Sequence, residues 1–158
     1  MATYYVNTSP GQTVNVRNSA SDSGAIATRI THGSHVTANA ASGGWHGGVS
    51  CYDPVAKVSY SNKYIKSGFL VSSIPTDCYW IARYGTLDIQ QTNTPNHPGV
   101  DNLQADLNSI TSLGVNLTVD GIAGANTIAA IKKFQSANNL TADGVAGNRT
   151  KEYLYKVK

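Results

Sequence analysis

Apolar residues recur at helical spacing in the second half of this chain and alternate in the first half. Val100, Leu103, Leu107, Ile110 and Leu113 step by three and four, which places them on one stripe of a helix. Ile128, Ile131 and Phe134 repeat that spacing with Ala130 and Ala137 beside them, and Tyr153, Leu154 and Val157 form a short last stripe. Pro98-Gly99 punctuates the start of the first helix, and Gly114 supplies its C-terminal glycine. Upstream, Val14-Asn15-Val16-Arg17, Ala25–Ile30 and Val36-Thr37-Ala38 alternate between turns rich in Ser, Gly and Asn. That pattern predicts short strands of a small barrel or sandwich. Between the halves, Tyr79–Gly85 is aromatic and alternates like a strand, and Thr92–Pro98 is a polar, proline-bearing linker. The fold class is therefore α+β. A small β-barrel with an inserted loop spans 1–75, a strap packed on the barrel and a linker span 76–97, and three helices span 98–158.

The helices are joined by a repeat. Leu117-Thr118-Val119-Asp120-Gly121-Ile122-Ala123-Gly124-Ala125-Asn126-Thr127 returns as Leu140-Thr141-Ala142-Asp143-Gly144-Val145-Ala146-Gly147-Asn148-Arg149-Thr150. In Asp-Gly the glycine supplies positive φ, and the aspartate can bond the backbone that follows it. Ile122 or Val145 plugs back into a core. The second glycine then opens a polar start suited to the unpaired N–H groups of a new helix. Two copies are too few for a solenoid, so the pattern describes a compact helical module.

Leu103-Gln104-Ala105-Asp106-Leu107-Asn108, the two D-G-[IV]-A-G-x-x-T loops and Ala130-Ile131-Lys132-Lys133-Phe134-Gln135 together resemble the peptidoglycan-binding domain of bacterial cell-wall hydrolases over residues 99–155. The resemblance implies a three-helix fold that holds peptidoglycan in a shallow groove and performs no chemistry. Ala123 stands where an aromatic residue is common in that family, which implies a shallower groove. The first half carries Asn15-Val16-Arg17 through Ser21, Gly33-Ser34-His35-Val36, Gly44-Trp45 and Gly68-Phe69-Leu70-Val71. In order and in most of their spacing these resemble a bacterial SH3-type domain over residues 12–75, implying an SH3-like β-barrel. The interval from Trp45 to Gly68 is longer than that family carries, and the extra stretch, around Cys51 to Tyr64, reads as an extended loop or an added hairpin.

Composition narrows the function. Only 13% of residues are charged and the formal net charge is +3, with Lys132-Lys133 as the one basic pair, so nucleic-acid binding is not indicated. No apolar run approaches the ~20 residues of a membrane span. Met1-Ala2-Thr3-Tyr4-Tyr5 has neither the basic stretch nor the apolar core of a secretory signal. Three origins stay open: a piece of a larger secreted enzyme, a mature fragment given a start codon, or a bacteriophage lysis protein made in the cytoplasm. The site of action in each case is the cell wall or the extracellular space.

Candidate chemistry is sparse. Cys51 lies near His46 in sequence, and a Cys–His pair can serve nucleophilic catalysis, but no third orienting group accompanies it. His32 and His35 fall on a turn without a third ligand, so no metal set and no cofactor site is legible, and His97 belongs to the linker. Cys51 and Cys78 form an even pair that a disulfide could join. For ligand binding, the barrel offers Asn15, Arg17, Trp45, Tyr60, Tyr64 and Phe69. Aromatic faces stack on sugars or peptide stems, and Asn and Arg bond amides and carboxylates. Trp45 and Phe69 read first as core and second as ligand-facing, whereas Tyr60 and Tyr64, in the inserted stretch, read as exposed. The helical module offers Asp120, Asn126, Thr127, Gln135 and Asn139, with turn and cap duties the competing reading for Asp120 and Thr127.

The two resemblances imply a non-catalytic chain that binds bacterial peptidoglycan at two weak sites and targets a lytic enzyme, an endolysin or autolysin, to the wall. The catalytic domain would lie outside this chain. Two other classes stay open: a complete hydrolase with its site in the 46–85 region, and an adaptor whose barrel binds a proline-rich partner.

Overall fold

The alternating first half becomes eight antiparallel strands: β1 (Ala2–Val6), β2 (Thr13–Arg17), β3 (Ile26–Thr31), β4 (His35–Ala38), β5 (Ala41–Ser42), β6 (Trp45–Asp53), β7 (Val58–Lys66) and β8 (Leu70–Val71). They form one sheet in the order β3-β2-β7-β6-β4-β1-β8, with β5 paired to β6. The sheet curls into a half-barrel whose edges are β3 and β8. In β2 the period of two sends Val14 and Val16 inward and leaves Asn15 and Arg17 half-buried on the other face. Val6, Ile30, Val36, Val49, Ile65 and Leu70 complete the core beneath. The added stretch is a hairpin of the two longest strands. Asp53 Oδ1 accepts from the N–H groups of Val55 (2.9 Å) and Ala56 (3.0 Å) and so fixes the tip. The computed structural model describes residues 1–93 and 97–158, and its chain divides into two units, Met1–Cys78 and Tyr79–Lys158.

The second unit contains α1 (Tyr79–Tyr84), α2 (Val100–Ser109), α3 (Ala125–Ala137) and α4 (Asn148–Val157). The last three are the helices expected from the sequence. The first is a correction, because the alternation of Tyr79–Gly85 suggested a strand in a separate strap. Trp80 and Tyr84 are the buried residues of this segment, and four residues apart they share one face of a helix. Arg83 donates to Asp106 from Nε (2.5 Å) and Nη2 (2.7 Å), and the Tyr84 hydroxyl donates to the same carboxylate (2.6 Å), tying α1 to α2. Asn102 Nδ2 donates to the Arg83 carbonyl at 2.9 Å. Lys151, fully buried on α4, donates to the carbonyls of Gly85 and Leu87. Segment 76–97 is thus largely part of the helical unit; residues 94–96 of the expected linker lie outside the described residues.

Glycine at position 99 is a steric requirement. It precedes α2 at φ +82°, and a Cβ there would lie 2.2 Å from the Tyr84 carbonyl oxygen. Helix α2 stops at Ser109, earlier than its apolar stripe, because a 3-10 turn over Thr111–Leu113 carries Leu113 into the core and ends on Gly114.

Candidate functional site

The two repeated loops are built on two glutamines. Gln104 of α2 points into loop 117–127. Its Oε1 accepts from the N–H groups of Asp120 (3.1 Å) and Gly121 (3.0 Å). Its Nε2 lies at donor distance from Asp120 Oδ1 (2.9 Å), the Ile122 carbonyl (3.0 Å) and Thr127 Oγ1 (3.0 Å). Gln135 of α3 does the same for loop 140–150. Its Oε1 accepts from Gly144 N (3.0 Å), and its Nε2 faces Asp143 Oδ1 (2.9 Å), the Val145 carbonyl (3.0 Å) and Thr150 Oγ1 (3.2 Å). Each aspartate also accepts from the N–H two residues on, Ile122 or Val145, at 2.9 Å. Gly121 and Gly144 have the expected positive φ, +73° and +80°. Buried and exposed positions follow the same order in both loops. The donors hold both carboxyls below their ordinary range: Asp120 mainly through the Gln104 amide, Asp143 mainly through the Val145 N–H.

Over the first loop lies an open cleft of about 210 Å³. Asp120, Asn126 and Thr127 line it with Leu117, Thr118 and Ile122, at the start of α3. On the other side of Asp120 a broader cleft of about 490 Å³ is lined by His97, Pro98, Asp101 and Val119. Val119 is 51% exposed there, an apolar side chain on an otherwise polar rim. Three sequence candidates therefore meet at one place. Two do not. Gln135 is 2% exposed with its amide spent on the second loop, which corrects the expectation that it faces a ligand. Asn139 is exposed beyond the end of α3, at φ +62°. Ala123 is fully buried, and its carbonyl accepts from Thr92 N at 3.0 Å, so it is no part of the groove wall. Its repeat equivalent, Ala146, pairs with Ile89 through both backbone bonds (3.1 and 2.8 Å). Segment 89–92 is thus bonded to the backbone of both alanines, and both are fully buried. Gln104, Thr118 and Asp101 were missed, although Gln104 stands in the Leu103–Asn108 motif just as Gln135 follows Phe134.

The half-barrel has its own cleft of about 280 Å³, and four of its six sequence candidates line it. Asn15 and Arg17 come from β2, Trp45 opens β6, and Phe69 ends the turn after β7; Lys66 and Asp22 join them. Trp45 is half-buried and Phe69 is 39% exposed, so neither belongs to the core, contrary to the first reading of them. Arg17 Nη1 donates to the Gly24 carbonyl at 2.7 Å, which fixes the guanidinium and the loop beyond β2. Lys66 Nζ lies 2.7 Å from Asp22 Oδ2 and 5.9 Å from the centre of the Trp45 ring. Tyr64 and Tyr60 sit elsewhere, half-buried on β7 rather than on an exposed loop. The Tyr64 ring lies against Gly47, where a Cβ would be 3.2 Å from Cε1.

The remaining chemistry-bearing groups are engaged within the first unit. Buried His32 accepts the Thr8 N–H at Nδ1 (3.1 Å), so its ring proton sits on Nε2 and is donated to Asp77 Oδ1 (2.7 Å). That bond is the main cause of the lowered Asp77 carboxyl. His46 donates from Nδ1 to the Asn39 carbonyl at 2.7 Å. Cys51 lies five residues further along β6, with two irregularities of the β6–β7 register between it and His46. Cys51 and Cys78 are not joined in a disulfide, and the Cys78 thiol donates to the Pro75 carbonyl. Among the described residues no group of three or more His, Cys, Asp or Glu side chains is placed to hold a metal. No helix among them is long and apolar enough to cross a membrane.

Residues 96–154 match a family model described as a putative peptidoglycan binding domain. The match takes in both loops, both glutamines and the cleft over loop 117–127, and it leaves the half-barrel unassigned. No curated protein and no solved structure matches the chain.

Proposed function

We propose that this chain holds bacterial peptidoglycan without cleaving it and targets a lytic enzyme, of the endolysin or autolysin kind, to the wall. The observation that carries the reading is the open cleft over loop 117–127, inside the stretch that matches the peptidoglycan-binding family. Its backbone is locked from beneath by Gln104, so little ordering cost falls on binding. Thr118, Asp120 and Asn126 present a hydroxyl, a carboxylate and an amide, which suit the hydroxyl and amide groups of wall glycan and peptide. The same groups suit hydrolysis poorly. Glycan cleavage uses two carboxyls, one of which keeps its proton near neutral pH, whereas Asp120 is the one carboxyl lining this cleft and its donors hold it below its ordinary range.

The half-barrel supports a second, SH3-type wall site at the cleft between Arg17 and Trp45. Each site is shallow. Two that engage one wall gain avidity of ~10²–10⁴ over either alone. The test is sedimentation of the full chain with purified bacterial peptidoglycan, with soluble fragments and reducing ends assayed in the supernatant. The chain is expected in the pellet with no fragments released. Fragment release that survives chelator and thiol blocking would place a hydrolase within the chain and sink the reading.

A further inference from the structure

The half-barrel cleft holds charges of both signs within a short span, and their pairing points to a ligand class. Lys66 and Asp22 form an ion pair across the mouth, with side chains 47% and 69% exposed. Arg17 also lines the cleft, with one of its five N–H donors on the Gly24 carbonyl. Trp45 and Phe69 supply apolar faces. The cleft is small, about 280 Å³, and open to solvent on one side.

We infer that this cleft binds a zwitterionic amino-acid end, a carboxylate and an ammonium on one carbon, as the uncrosslinked branch of a diamino-acid wall peptide presents. The inference rests on the reading of the half-barrel as a wall-binding unit. The ligand carboxylate takes Lys66 and Arg17, which frees Asp22 to take the ligand ammonium. One internal ion pair, Lys66–Asp22, is exchanged for three intermolecular ones, and no charge in the cleft is left unpaired. A plain carboxylate would leave Asp22 to water alone, and a plain ammonium would leave Lys66 to water alone, so neither ligand gains the full set of pairs. The ligand's carbon skeleton lies against Trp45 and Phe69. Cross-linking acylates that amine, so the cleft discriminates free wall ends from cross-linked ones.

The test uses the full chain and a stem tripeptide ending in diaminopimelate, with its distal centre free, N-acetylated or carboxyl-amidated. Trp45 and Trp80 are the two tryptophans of the chain, and each carries one indole N–H resonance to follow by NMR. The free tripeptide is expected to move that of Trp45 and leave that of Trp80, and each cap is expected to weaken binding roughly fivefold, the upper range for exposed ion pairs. Asp22→Asn is expected to abolish discrimination against the N-acetyl form alone, and Lys66→Gln against the amidated form alone. A purely structural role for the ion pair would not split the two caps in this way. Equal binding of all three tripeptides, or no response at Trp45, overturns the inference. In that case sedimentation of Asp22→Asn and Lys66→Gln with whole peptidoglycan still reports on wall binding by itself.

Discussion

Replacing Gln135 by Leu keeps the volume on α3 but removes the amide that organises loop 140–150. The Gly144 N–H, buried at 3.0 Å from Gln135 Oε1, loses its acceptor, and the Val145 carbonyl loses a donor at 3.0 Å. A buried group left unpaired costs about 1–3 kcal/mol, and the Val145 oxygen regains part of its loss from water because that residue is half-buried. The sum is about 2–4 kcal/mol. For a unit of this size each kcal/mol moves Tm by roughly 4–8 °C, so a fall of more than ~10 °C is expected. The assay is thermal unfolding followed by tryptophan fluorescence in a Trp45→Phe background, where Trp80, buried on α1, is the reporter. Gln104→Leu is expected to cost as much, since it serves the first loop through equivalent bonds. A Tm within a few degrees of the parent for either variant would refute the claim that these amides hold the loops.

Gly144→Val combines positive φ with a clash, since even a Cβ would lie 2.8 Å from Ile128 Cγ2; it is expected to cost more than the ~1–3 kcal/mol of backbone strain alone, measured by denaturant titration. Asp106→Asn removes the acceptor charge shared by Arg83 and Tyr84. Breaking a buried pair costs about 3–5 kcal/mol, but the Arg83 side chain is 33% exposed, so roughly 1–3 kcal/mol is expected in the same titration. Acid should act on the loops. Asp120 and Asp143 titrate below their ordinary value of 3.8 when folded, so their contribution is whole above that pH and is lost as pH falls through the lower folded values. Tm of the helical unit measured against pH is expected to fall more steeply below that point in the parent than in Asp143→Asn.

Elements with a clear period were legible in the sequence, and so was the turn chemistry of the loops. Val14 and Val16 sit inward in β2 as alternation requires, and Gly121 and Gly144 take the positive φ that Asp-Gly demands. Helix α1 was not legible, because over six residues a strand and a helix can share a pattern; what decides is that Tyr84 and Arg83 both find Asp106, distant in sequence. The cleft residues were legible where the loop itself supplies them, as at Asp120, Asn126 and Thr127. Gln135 was misassigned because a polar residue on a helix reads as exposed, and only the folded loop shows four groups converging on its amide. Lys66 and Asp22 escaped notice for a related reason. Their pairing joins the end of β7 to a loop far earlier in the chain.

The most direct test of wall binding by the helical unit is a titration of the full chain with soluble peptidoglycan fragments, followed residue by residue through its amide resonances. Shifts are expected at Thr118, Asp120, Gly121 and Asn126 around the open cleft, saturating together, with Gln135 and the buried Ala146 unmoved. Replacing Thr118 and Asn126 by Arg, with the unfolding transition unchanged, is expected to abolish them. Saturable binding whose shifts fall outside loop 117–127, or binding untouched by that double substitution, would contradict the account.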